Sequence, residues 1–390
     1  MTNLLIRRAM LAMVTLLLLA ACGGAPAAPG VGSAATSQPA AETTETATSE
    51  TMTAATAATA AGATTSAEVT PEMTVEATAA GAGELTVYSG RNEELIGALV
   101  EQFQNESGID VEVRYGDTAE LAATILEEGA NSPADVFFAQ DAGALGALAA
   151  QDRLQKLPDS ILQRVEERFR SPEGEWVGTS GRARVVVYNT AALTETDLPE
   201  TIFGFTDPKW KGRLGWAPTN GSFQAFVTAL RVLQGEEQAR EWLEGIKANE
   251  PKAYDNNTAI VQAAASGEID AGFVNHYYLV RQLQENGESF AARNYYLKNG
   301  DPGALVNVAG AGILTGAKNQ AAAEQFVTFL VGDAAQQYFA DKTFEYPLVT
   351  SVEPNAALPP LSEIQTPQID LSRLEDLQGT LQLLQDLGIL

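Results

Sequence analysis

The sequence predicts an α/β protein of two lobes, each a mixed sheet flanked by helices, joined by two crossing strands. Three observations predict it. Short apolar strands alternate with amphipathic helices from Leu85 onward. The run Arg184-Val185-Val186-Val187-Tyr188 is long enough to pass from one domain to another. A second series of strands and helices follows it, closed by a return strand over Asn307 to Thr315. Strands alternating with helices indicate wound sheets whose ligand sites lie beyond the strand C-termini.

Leu85-Thr86-Val87-Tyr88 reads as a short strand. Asn92 to Asn105 carries Leu95, Ile96, Leu99, Val100 and Phe103 at helical spacing. Ile109, Val111, Val113 and Tyr115 alternate as a strand does, and Leu121, Ile125 and Leu126 mark the inner face of a second helix. Asp135-Val136-Phe137-Phe138 is a buried strand, so the segments Ser89–Asn92 and Ala139–Asp141 sit at strand ends facing one crevice. Beyond the crossing run, Ala217-Pro218-Thr219-Asn220-Gly221-Ser222 is a turn, with a helix starting at Ser222 and capped by its hydroxyl. Thr258 begins another helix, and Ala271-Gly272-Phe273-Val274 is a strand running into Asn275-His276-Tyr277-Tyr278. Ala321 to Val331 is helical, and a last helix places Leu374, Leu377, Leu381 and Leu384 on one stripe. The expected lobes are 84–184 with 308–358, and 185–307 with 359–390.

Ahead of the folded body the chain reads differently. Arg7 and Arg8 precede an apolar run from Ala9 to Ala21, too short to span a bilayer comfortably. Leu19-Ala20-Ala21-Cys22 has the cleavage pattern of bacterial lipoproteins, and Cys22 is the only cysteine, which suits lipidation and rules out a disulfide. Residues 1–22 are therefore expected to be a lipoprotein signal. Residues 23–83 are rich in Ala, Thr, Ser, Glu, Pro and Gly and are expected to form a disordered tether. A tether of that length reaches roughly 40–45 Å root-mean-square. The predicted location is extracytoplasmic, anchored by lipid to the cell membrane, at the periplasm or the outer cell surface.

Charge and composition exclude several classes. Across 390 residues, acidic side chains outnumber basic ones 50 to 24, a net charge of −26 that repels nucleic acid and anionic lipid. One histidine and one cysteine preclude a His/Cys zinc site and a Cys–His nucleophile. The nucleophile elbow Gly-x-Ser-x-Gly, the phosphate-binding P-loop and the dinucleotide Gly-x-Gly-x-x-Gly are all missing from the sequence. Two adjacent tyrosine pairs stand out. Tyr295-Tyr296 lies in a strand, where neighbours point to opposite faces, one into the core and one to the surface. Tyr277-Tyr278 enters a helix, where adjacent side chains diverge by only ~100° and both hydroxyls can reach one point.

Seven motifs occur in a telling order: Val87-Tyr88-Ser89-Gly90-Arg91-Asn92, Ser132-Pro133-Ala134-Asp135-Val136-Phe137, Ser180-Gly181-Arg182-Ala183-Arg184, Ala217-Pro218-Thr219-Asn220-Gly221, Asn275-His276-Tyr277-Tyr278, Asp301-Pro302-Gly303-Ala304-Leu305 and Glu345-Tyr346-Pro347-Leu348. With them the chain resembles the ferric-ion-binding proteins of bacterial iron ABC importers over about residues 84–390. The resemblance implies a periplasmic-binding-protein fold that closes on Fe³⁺ and delivers it to a membrane permease, as a monomer without enzymatic activity. It implies Tyr277 and Tyr278 as phenolate ligands, suited to a hard trivalent cation. It implies phosphate or carbonate as a synergistic anion on Asn220, Gly221 and Ser222 at a helix start, with Asn257, Asn275 and Arg182. Some relatives carry a histidine ligand where this chain has Asn92 and a glutamate where it has Gln140; both replacements are neutral, and Asp141 offers a nearby carboxylate. Other readings are the same fold holding an oxyanion, a chelated metal or an organic solute, a lipid-anchored hydrolase using His276 beside a serine, and a structural surface lipoprotein. In the family His276 matches a position that is not a ligand, and it reads as a helix-start or packing residue.

Overall fold

The computed structural model describes residues 83–390. The expected signal segment, Cys22 and nearly all of the expected tether lie outside the described residues. Among the described residues, no helix is long and apolar enough to cross a membrane.

The body begins β1 (Glu84–Ser89), α1 (Glu93–Ser107), β2 (Asp110–Tyr115), α2 (Thr118–Glu128), β3 (Val136–Ala139) and α3 (Ala142–Ala149). A one-turn α4 (Asp159–Leu162) leads to the long β4 (Val177–Asn189). Next come β5 (Leu214–Trp216), α5 (Gly221–Gln234), α6 (Glu236–Ala248), β6 (Lys252–Ala253), α7 (Asn257–Ser266), β7 (Ala271–Asn275), α8 (Tyr277–Asn286) and β8 (Ala292–Tyr295). The chain ends with β9 (Val306–Ile313), α9 (Gln320–Leu330), α10 (Asp333–Tyr338), β10 (Tyr346–Pro347) and α11 (Leu377–Asp386).

The strands run in the order β2-β1-β3-β9-β4-β7-β5-β6, with β8 and β10 also pairing β4. β1 is parallel to β2 and β3, and β5 is parallel to β6 and β7; the pairs involving β4 or β9 are antiparallel, so the sheet is mixed. β4 is the crossing strand. Its Val177–Ala183 stretch pairs β9, and its Arg184–Asn189 stretch pairs β7 and β8. The hand-over falls between Ala183 and Arg184. The return runs through Asp301–Leu305 into β9, where the Leu305 carbonyl accepts the Arg184 N–H at 2.8 Å.

Period-two alternation then sorts the core. Val186 and Tyr188 join an aromatic cluster with Trp210, Phe223, Phe226, Trp242 and Phe273, while Val185 and Val187 face an aliphatic cluster around Ile260, Val261 and Val274. A third cluster gathers Val87, Ile96, Phe103, Phe137, Val308 and Phe326 on the other half of the molecule.

Local expectations need adjusting at several points. The helix after the Ala217 turn starts at Gly221, and its cap is Asn220, whose Oδ1 accepts the Ser222 N–H at 3.1 Å; Ser222 lies inside the first turn. Asn256 caps α7, which begins at Asn257, one residue ahead of Thr258. Leu126 faces solvent at 40 % exposure because the buried face of α2 is set by Leu121, Ala122 and Ile125. The single C-terminal stripe is broken at Asp376, which caps α11; Leu374 packs in the first cluster and Leu383 and Leu384 in the aromatic one. Tyr296 is half-buried against the cores and Tyr295 is buried.

Candidate functional site

β7 and α8 set the tyrosine pair. β7 ends at Asn275, fully paired with β4, and His276 stands at the N-cap of α8, so Tyr277 and Tyr278 are its first two residues. Their rings stack with centroids 4.3 Å apart and planes 29° apart. Tyr277 is 1 % exposed and its hydroxyl has no hydrogen-bond partner; Tyr278 is half-buried. Burial pushes the Tyr278 phenol well above its ordinary range, Tyr277 adds to this, and Arg182 and Arg91 oppose it. A bound multivalent cation would reverse that balance, since it stabilises phenolate directly.

Two groups of polar side chains flank the pair. On β7, α5 and α7, Asn257 Nδ2 donates to Asn220 Oδ1 at 3.1 Å, and Asn257 Oδ1 accepts the Asn275 N–H at 3.0 Å. Ser222 Oγ donates to Asn220 Oδ1 at 2.5 Å, and Gly221 is the first residue of α5, exposed, at the positive end of the helix. Arg184 joins this group, donating through Nη1 to Asn275 Oδ1 at 3.2 Å and lying within 3.4 Å of Ser222 Oγ. Its Nη2 is buried without a partner. Burial pulls the Arg184 guanidinium down to about 9, against the opposing pull of Tyr278 and Tyr277.

The second group comes from the strand ends of the other half. Arg91 Nη1 donates to Gln140 Oε1 at 2.9 Å, and its Nη2 pairs with Glu345 at 2.6 Å. Ser180 and Thr343 hydroxyls also donate to Glu345, each at 3.0 Å. Arg182 donates to the Gln140 carbonyl, while its Nε and Nη1 are buried without partners. Asp141 caps α3 through the Gly143 and Ala144 N–H groups; burial raises its carboxyl, and Arg182 pulls it back. Asn92 is exposed at the start of α1, with no side-chain capping bond.

The expected anion-holding residues Asn220, Ser222, Asn257 and Asn275 thus form one connected set, and Arg182 with Gln140 forms another. Asn92, next to Arg91, is exposed and joins neither set by a hydrogen bond. Sequence reasoning passed over Arg91, Arg184 and Glu345 as site residues. The spacing of Arg182 and Arg184 was the available signal, because residues i and i+2 of a strand share a face. Arg91 pairs with Glu345, although Arg91 Nε and Glu345 Oε1 are buried without partners; Arg182 and Arg184 have unpartnered guanidinium nitrogens and no carboxylate pairs with them, a costly state without an anion nearby. Among the described residues no group of three or more His, Cys, Asp or Glu side chains could hold a metal; phenol oxygens are the donors this site offers a hard cation.

A buried polar site at the crossing of two strand sets, built from both of them, defines a solute-binding protein. The family model of bacterial extracellular solute-binding proteins matches residues 98–366, and the chain belongs to that family. It is 36 % identical over 309 residues to the major ferric iron-binding protein of Neisseria meningitidis serogroup B, covering 78 % of this chain and 93 % of that one. It is 33 % identical over 308 residues to the Fe(3+)-binding periplasmic protein of Serratia marcescens, covering 78 % and 90 %. Among solved structures, iron-bound HitA from Pseudomonas aeruginosa superposes with a TM-score of 0.74 at 37 % identity, covering 78 % of this chain and 99 % of that one. The kinship with ferric-ion-binding proteins read from the sequence holds over most of the folded body, and the protein is a binding protein, not an enzyme.

Proposed function

We propose that this chain is an extracytoplasmic lipoprotein, anchored through Cys22, that captures ferric iron and hands it to the permease of an ABC importer. Tyr277 and Tyr278 supply two phenolates. Asn220, Gly221, Ser222, Asn257, Asn275 and Arg182 hold a synergistic phosphate or carbonate, and Arg184 adds a second guanidinium. The observation that carries this reading is the stacked pair of adjacent tyrosines, held between buried arginines with unpartnered nitrogens. The names of the relatives support the choice of iron.

Two phenolates leave a trivalent cation with a net charge of +1, and a dianion takes the centre to −1. The excess falls beside Arg182 and Arg184. Gln140 is engaged by Arg91 and Asn92 is exposed, so neither brings a charged donor, and tight binding depends on the anion. The halves meeting at Ala183 and Arg184 act as lobes that close on the cargo.

The deciding experiment is a visible absorption spectrum of the purified protein supplied with Fe³⁺ as a weak chelate, with and without phosphate or bicarbonate. A tyrosinate-to-iron charge-transfer band that needs the anion is expected. A colourless protein under every anion would transfer the cargo to another solute class, and a band of equal strength without anion would remove the anion's role.

A further inference from the structure

His276 is fully buried and touches three segments that carry the site. Its Nδ1 accepts the Ala183 N–H at 3.1 Å, between Arg182 and Arg184 on β4. Its Nε2 stands 2.9 Å from the Phe344 carbonyl oxygen, which only an N–H can satisfy. The imidazole is therefore the neutral Nε2–H tautomer, and both nitrogens are spent on backbone. The ring meets Tyr277 edge-on at 5.6 Å and lies over Tyr346 at 4.7 Å.

Phe344 explains why that second bond matters. It follows a π-turn over Phe339–Thr343 and has φ +57, a left-handed conformation that is strained for an aromatic residue. The turn delivers the next residue, Glu345, to Arg91, Ser180 and Thr343. An apolar ring would fill the same space but leave the buried Ala183 N–H and the Phe344 carbonyl without partners, so the imidazole does more than pack.

We propose that His276 is a positioning residue for the tyrosine pair: its imidazole fixes the Tyr277 ring and clasps the Phe344–Glu345 turn to the crossing strand, without ligating the cargo itself. This rests on reading Tyr277 and Tyr278 as the ligands.

Three variants test it. His276→Phe keeps the ring and loses both hydrogen bonds. His276→Asn retains an acceptor at the Nδ1 position, and His276→Gln retains a donor at the Nε2 position. With folding checked by circular dichroism, His276→Phe should weaken Fe³⁺ binding roughly 10- to 100-fold, as loss of an outer-shell partner does, and should displace the charge-transfer band. His276→Gln should recover most of the affinity. Hydrogen–deuterium exchange on iron-free protein gives a second readout: His276→Phe should speed exchange in peptides covering 178–188 and 339–348, Gln should restore only the second, and Asn only the first. A His276→Phe protein with parental affinity, band and exchange would overturn the proposal. Absence of a band in the parent would sink the ferric reading alone, and the exchange pattern would still decide whether His276 holds the turn.

Discussion

Tyr277 and Tyr278 are neighbours in sequence yet differ in surroundings: the first is sealed in with a free hydroxyl, the second is half-buried with its phenol held protonated by burial. Replacing either by Phe removes one oxygen donor and little volume, so each variant should fold normally and lose the iron colour. Tyr295→Phe should retain it, because that ring belongs to the aromatic core; colour lost from Tyr295→Phe and kept in Tyr277→Phe would assign the wrong pair. The tyrosine pair was legible because it stands at a strand-to-helix junction. Arg184 showed only in its i, i+2 spacing from Arg182, and Glu345 not at all, since its buried charge announces itself through a partner distant in sequence, Arg91. His276 carries a pH signature. Burial depresses its pKa to about 4, below the ordinary 6.5, so the unfolded chain binds the extra proton first. The stabilisation is complete above pH 6.5 and lost as pH falls toward 4, a difference of up to ~3 kcal/mol. Denaturant titrations of the parent and His276→Gln should diverge over that window; parallel pH profiles would contradict the assignment.

At the level of elements, β4 was recognisable from its apolar run, although its reach back to Val177 was hidden by Ser180, Gly181 and Arg182, polar or small residues that a central strand buries only when the site needs them. The C-terminal segment was the least legible. Its leucines look like one stripe, but Asp376 interrupts the helix and sends Leu374 and Leu384 into different cores. What locks the first piece is its close approach to α3. A Cβ on Gly146 would stand 2.5 Å from the Ser372 carbonyl oxygen, and one on Gly143 would stand 2.3 Å from that of Leu374. Gly146→Ala should therefore lower stability by about 1–3 kcal/mol, the usual cost of overpacking, despite alanine's better helix propensity. A thermal midpoint equal to the parent's would show that the 371–375 turn yields freely.

For the whole molecule, the α/β class and the crossing strand followed from periodicity, while the mixed strand order followed from pairings that no local pattern encodes. Site residues come from both ends of β4: Arg91, Gln140 and Glu345 on one side, Asn220, Asn257 and Tyr277 on the other. Arg91 is 0 %, Arg182 1 % and Tyr277 1 % exposed, so on the proposed reading a cargo would reach them only if the halves separate. Small-angle X-ray scattering should then give a smaller radius of gyration for iron-and-anion-loaded protein than for stripped protein; identical values would argue against hinge closure.

The aromatic cluster has an optical consequence. Trp210, Trp216 and Trp242 all lie in it, and only Trp176 belongs to the opposite core. Intrinsic emission therefore reports chiefly on one half of the molecule. Trp216 stands one residue before the Ala217–Asn220 turn, with the Phe223 ring 5.8 Å away; a tyrosinate–iron chromophore on Tyr277 and Tyr278, as proposed, would be an acceptor for tryptophan excitation energy. On the proposed ferric reading, loading would dim this emission, and the dimming could be followed in real time without a label.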